Sequence, residues 1–173
     1  VSAALLSETD YFFTVWPKLE LIDSFKFDFQ PDRMKNPCHY IFNAKNPVNG
    51  LEYGHGAVLL YNKKLVLETK NPGLDFTLSK AHDSVPVLSA INHFNETPLM
   101  SWRTTFREVI KLLQMKPTVE SKYRLMKWCE LGKGDNADWV YKGAHDAKDY
   151  YEKNSDNYDK LMLSYIFDWL HQY

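Results

Sequence analysis

The chain has no apolar run approaching the roughly 18 residues that a membrane-spanning helix needs. Its opening, VSAALLSETD, lacks the basic flank and small-residue cleavage site of a secretory leader. A cytoplasmic protein with no membrane partner is therefore expected. Cysteine is scarce: Cys38 and Cys129 are the only two, too far apart to make a metal-ligand spacing, and reduced thiols are expected of them. An excess of one charge sign is missing as well. Lys and Arg number 21 against 22 Asp and Glu, giving a formal net charge of -1, and the two signs are interleaved along the chain. No global field draws in nucleic acid or an anionic membrane, so a polyanion contact would have to be local. Internal repeats and low-complexity segments are absent too.

What is present is a large apolar and aromatic share, 45% and 15% of 173 residues, which excludes disorder and calls for a deep interior. One domain is expected, strand-rich over residues 1–96 and helical over residues 97–173. Residues 1–7 read as a short apolar helix and residues 11–15 as a buried aromatic strand that Pro17 ends and residues 19–22 resume. Phe25, Phe27 and Phe29 alternate with Lys26 and Asp28, the period of a half-buried strand. Further strands are expected at residues 39–42 and 85–91, and a hairpin at residues 57–61 and 65–67 around Asn62, Lys63 and Lys64. Thr97 followed by Pro98 reads as an N-cap with proline at the first helical position, and Trp102, Phe106, Val109, Ile110 and Leu113 form an apolar stripe behind it. Further helices are expected from Thr118 to Cys129, from Asp135 or Asn136 to Tyr151, and from Asn157 to Trp169. The fold class is thus α/β, a mixed sheet covered by about four C-terminal helices.

Several residues carry chemistry. Residues 46–56 hold two asparagines, a proline and three glycines, an arch rich in exposed backbone donors in which Asn46, Asn49, Tyr53 and His55 could meet a ligand. Asp75 follows a Pro-Gly turn, where it could act as general base or cap the turn. His39, His55, His82 and His93 could converge on a metal if the sheet gathered them, although no pair has ligand spacing. Cys38 and His39 are adjacent, so on a strand they point to opposite faces and cannot form a nucleophile and base. Arg103 and Arg107 lie one helical turn apart and would suit a phosphate or surface ion pairs alike. Trp139, Tyr141, Tyr150 and Tyr151 read as core packing or as a sugar platform.

Three stretches, residues 1–21 (VSAALLSETDYFFTVWPKLEL), 39–65 (HYIFNAKNPVNGLEYGHGAVLLYNKKL) and 97–112 (TPLMSWRTTFREVIKL), together resemble phage-encoded GT-A-like glycosyltransferase proteins in their C-terminal portion. The resemblance implies a GT-A-like fold, a nucleotide sugar as co-substrate, and a host cytoplasm or virion as location. On this reading an open groove is lined by the Asn46 to His55 arch, with Asn46, Asn49, Tyr53 and His55 at the substrate and Asp75 and His93 as catalytic candidates. The strand matching adds Lys18 as a residue that could meet a diphosphate directly. The family's strand ends in an Asp-x-Asp motif that holds a divalent metal, because a sugar diphosphate carries charge that a hard cation must bridge. Here those two positions fall on Trp16 and Lys18, with Glu20 the nearest carboxylate, so no metal is expected there. The preceding nucleotide-binding βαβ units of the family are not matched either. Two readings follow: a glycosyltransferase-like domain with transfer retained or lost, and a non-catalytic phage structural or host-protein-binding module.

Overall fold

The computed structural model describes residues 1–54, 58–70, 76–77 and 79–172, and its contacts divide the chain into two units. The first comprises Val1–Asn46 and Glu52–Asn92, the second Pro47–Leu51 and His93–Tyr173. Among the described residues the first unit contains the sheet and two short helices, and the second contains five helices. The structure is mixed α/β, as the sequence suggests.

In chain order the first unit runs α1 (Ser2–Leu6), β1 (Tyr11–Thr14), β2 (Leu19–Leu21), β3 (His39–Lys45), β4 (Glu52–Tyr53), β5 (Leu59–Asn62), α2 (Lys63–Glu68) and β6 (His82–Asn92). The strands make a mixed sheet of order β1-β5-β3-β6-β2, with β4 pairing on β3. All pairings are antiparallel except β3 with β6. β1 and β2 therefore lie at opposite ends of the path, although only residues 15–18 connect them. Four inter-strand spacings would separate them by about 19 Å in a flat sheet. The link reaches only about 14 Å, because Pro17 sits in a turn closed by the Leu19 N–H on the Trp16 carbonyl at 3.0 Å. The sheet must curl. Phe13 of β1 and Leu19 of β2 accordingly pack in one cluster with Phe25, Tyr40, Phe42, Val58 and Leu60.

The phenylalanine alternation at residues 25–29 does not form a strand. Phe25 instead enters a turn, its N–H donating to the Ile22 carbonyl at 3.0 Å, and its ring lies edge-on to Phe13, Phe27 and Phe42. Burial on the curled face outweighs the local strand pattern. The expected hairpin after β5 is also replaced, by α2. The side chain of Asn62 accepts from the Leu65 N–H at 3.0 Å, capping a helix in which Val66 is buried. β6 carries the bulge that its proline demands. Phe42 pairs with Val85 but Asn43 with Leu88, so Pro86, which has no N–H to donate, and Val87 stand outside the ladder.

The second unit follows its caps. α3 (Pro98–Gln114) starts where the Thr97 side chain accepts from the Met100 N–H, and α4 (Val119–Cys129) starts from a capping box between Thr118 and Ser121. α5 (Ala137–Asn154) begins after Asn136, whose φ is 56°. Its side chain is turned to the Asn95 carbonyl at 2.8 Å while Asn95 donates to the Asp135 carbonyl at 2.9 Å. The last expected helix is two, α6 (Tyr158–Leu163) and α7 (Phe167–Gln172). Between them the N–H groups of Ser164, Tyr165 and Ile166 take carbonyls three residues back, and the Ser164 hydroxyl donates to the Leu161 carbonyl at 2.7 Å, ending the first. α3 and α5 meet at Gly143, where a Cβ would fall 2.6 Å from the Trp102 carbonyl oxygen. Phe106, fully buried, packs its ring against Trp102, Tyr150 and Trp169. Phe106→Ala should cost about 3–5 kcal/mol in urea unfolding, with little relaxation because three rings fix the cavity walls. A loss under about 1 kcal/mol would mean that α3 and α5 are not held by this contact.

Candidate functional site

The sheet register decides which of the expected site residues can act together. Leu19 pairs with Asn92, Glu20 with Ile91, and Lys45 with Ile91. Lys18, just before β2, and Asn46, just after β3, therefore stand on either side of Asn92 at one end of the sheet. This end carries the carboxyl termini of the parallel pair β3 and β6. Lys18 is half-buried, whereas Asn46 and Asn92 are buried. Tyr53 lies two residues back from Asn46 along β3, opposite Ala44. Its ring is buried rather than offered as a flat face.

Pro47–Leu51 of the arch belong to the second unit, as does His93, which is half-buried. Asn49 turns the chain, its side-chain oxygen accepting from the Leu51 N–H at 3.1 Å, and Gly50 follows at φ 74°. The Val48 carbonyl accepts from the Lys133 N–H at 3.0 Å, against Gly132, where a Cβ would lie 2.4 Å from that oxygen. Asn46, Val48, Leu51 and Tyr53 are all buried, so the expected array of exposed donors is largely turned inward. His55 and Asp75 lie outside the described residues. Trp16 is exposed in the turn between β1 and β2, and Glu20 is exposed on β2. Among the described residues no group of three or more His, Cys, Asp or Glu is gathered for a metal ion.

The start of β3 holds the unit's titratable interior. Cys38 shares a face with Tyr40, and burial pushes both their pKa values up, with Asp83 contributing to each. Such a thiol is a poor nucleophile at neutral pH. His39 occupies the opposite face, edge-on to Tyr61 and stacked near Phe76. The separation of Cys38 from His39 is what strand geometry requires. The His39 Nδ1 accepts from the Asn62 N–H at 3.1 Å, which places the ring proton on Nε2. That nitrogen is buried with no hydrogen-bond partner among the described residues. Burial, aided by the charges of His82 and Lys80, holds the His39 pKa down to about 4.

Sequence reasoning passed over a groove in the second unit, whose signal was a polar stripe at helical spacing on α5. Compared with protein-family models, curated proteins and solved structures, the chain gives no match. Among the described residues no helix is long and apolar enough to cross a membrane.

His39 makes stability depend on pH in a predictable direction. The folded pKa lies below the unfolded value of about 6.5, so the unfolded chain binds the extra proton first. The neutral-histidine contribution is complete at pH 7, falls below about pH 6.5, and is exhausted as the pH passes the folded value of about 4. The full loss is about 3 kcal/mol. His39→Asn, which can still accept from Asn62, should flatten the fall in urea midpoint between pH 7 and pH 4.5. An equal fall in the variant would place the acid sensitivity elsewhere.

Proposed function

We propose that this chain is a glycosyltransferase-like domain of GT-A type, phage-encoded in kind, which binds a nucleotide sugar without a divalent metal at the end of β1. The observation that carries this reading is the junction of Lys18, Asn46 and Asn92 at the carboxyl ends of the parallel strands β3 and β6. A lysine there offers a diphosphate an ammonium where the related motif would offer a bridged cation. Trp16 and Lys18 cannot ligate magnesium or manganese, and Glu20 alone is too few oxygen donors. The roles that the resemblance suggests for Asn49, His55, Asp75 and His93 are no part of this junction, and Tyr53 is buried beside it. A cytoplasmic setting, in the host or the virion, accompanies this reading.

The second reading is a non-catalytic module that binds a protein partner, and it is favoured by the inward-turned arch, where Asn46 and Tyr53 are buried. Calorimetry with uridine and guanosine diphosphate sugars separates the two. Binding should be unchanged by manganese and weakened about tenfold by Lys18→Met, the worth of one charge-assisted contact. Manganese-dependent binding lost on Glu20→Gln would restore a metal centre and overturn the proposal. Complete indifference to sugar nucleotides would leave the protein-binding module.

A further inference from the structure

Within the second unit a groove of about 690 Å³ runs between the first turn of α3, one face of α5 and the end of α7, a size within the range of about 300–1,000 Å³ typical of small-ligand sites. Its floor on α5 is a single stripe, Trp139, Lys142, Asp146, Asp149 and Lys153, separated by three or four residues each and therefore aligned on one helical face. Facing it are Pro98, Leu99 and Trp102 of α3, with His171 of α7. Cancelling charges at this spacing are ordinary on a solvated helix face, but here the stripe begins with a large exposed indole. Trp139 is 38% exposed, whereas Trp102 is nearly covered.

The walls are fixed before any ligand arrives. The Trp102 Nε1 donates to Asp146 Oδ2 at 2.7 Å, and Lys142 pairs with the same oxygen. Both bonds fall on one carboxylate oxygen, so Oδ1 remains to accept from a bound hydroxyl. Gly143 allows the close approach of α3 that brings Trp102 within reach of Asp146. His171 rests against the Phe167 ring, 4.7 Å between centroids. Asp149 and Lys153 complete the floor, both exposed.

We propose that this groove is a binding site for a neutral saccharide of two to four units. Two ammonium groups, Lys142 and Lys153, flank two carboxylates, Asp146 and Asp149, so each ammonium has a carboxylate one helical turn away. A phosphate or sulfate would meet carboxylates wherever it met an ammonium, and a basic peptide would meet the reverse. A polyhydroxyl ligand satisfies both, donating to the carboxylates and accepting from the ammoniums, and lays its apolar C–H face on the Trp139 indole. The site needs neither nucleotide nor metal, so it stands independently of the sugar-nucleotide reading.

The test is titration of the full chain, free of nucleotide and metal, with neutral gluco-, galacto- and manno-oligosaccharides of two to four units. Tryptophan fluorescence and the indole N–H resonances would be followed. At least one series should give saturable binding that shifts the Trp139 indole resonance. Trp139→Ala should weaken it about tenfold or more, the worth of one aromatic face, and Asp149→Asn should weaken it several-fold, both at unchanged thermal midpoint. Because Asp149 is exposed and its replacement is isosteric, that variant keeps the test decisive if Trp139→Ala proves unstable. Absence of binding across the three series, binding indifferent to both variants, or binding only of sulfated or phosphorylated sugars would overturn the proposal. Failure of the nucleotide-sugar titration leaves it untouched, since no nucleotide is present here.

Discussion

The shortness of the link between β1 and β2 governs the first unit. Outer strands four places apart along the sheet cannot be joined by residues 15–18 unless the sheet curls, and Pro17, held in a tight turn, shortens the reach further. Curling makes the two faces unequal. One face gathers Phe13, Phe25, Tyr40 and Phe42 with residues from both outer strands, and Phe25 can serve it only by leaving any strand pairing. The bulge at Pro86 is compatible with the same demand, because bulges add twist and bend where a ladder cannot continue. What looks like an isolated proline in a strand and a spare phenylalanine run are thus answers to one constraint.

Burial of polar groups is the second ordering device. Asn46, Ser89 and Asn92 lie inside the first unit near one sheet end, and the Ser89 hydroxyl donates to the Asn43 carbonyl at 2.9 Å, spanning the irregular register between β3 and β6. Placing such groups inside costs free energy unless the register presents their partners. In the second unit the Arg124 guanidinium donates to Glu108 at 2.9 Å with both side chains largely covered, and Glu120 lies beside them at 3.5 Å. A covered pair of this kind contributes less to stability than to fixing how α4 meets α3, since either partner left alone would be an uncompensated charge.

The helices were legible in the sequence because their signals are local. Thr97 with Pro98 and Thr118 with Ser121 cap the helices they precede, and the stripe through Trp102 and Phe106 is buried as its spacing requires. The misread segments are those where tertiary burial competes with a local pattern. Asn62 caps a helix in a place where it reads equally well as a hairpin turn, and Phe25 to Phe29 alternate without pairing. The split between α6 and α7 rests on Ser164 bonding backward, a choice that no periodicity announces. Of the candidate site, the residue types were legible but their grouping was not. Lys18 and Asn46 come together only through a register that crosses β6, and Tyr53 is buried because β4 pairs it with Ala44.

Recognition without metal requires charge to be supplied by side chains that can be desolvated in place. An ammonium at residue 18 is a single point charge with three donors, where a bridging cation would organise several phosphate oxygens at once. On the proposed reading it would steer and hold a diphosphate while offering the leaving group far less stabilisation than a divalent ion does, so binding and transfer would separate energetically at this position. The α5 stripe meets the complementary problem by cancelling its own charges: Lys142 is already paired to Asp146, and what remains toward a ligand is hydrogen-bonding capacity without net field. Both proposed sites would accordingly favour holding a ligand over activating one. Any transfer chemistry would have to draw on residues beyond these two clusters.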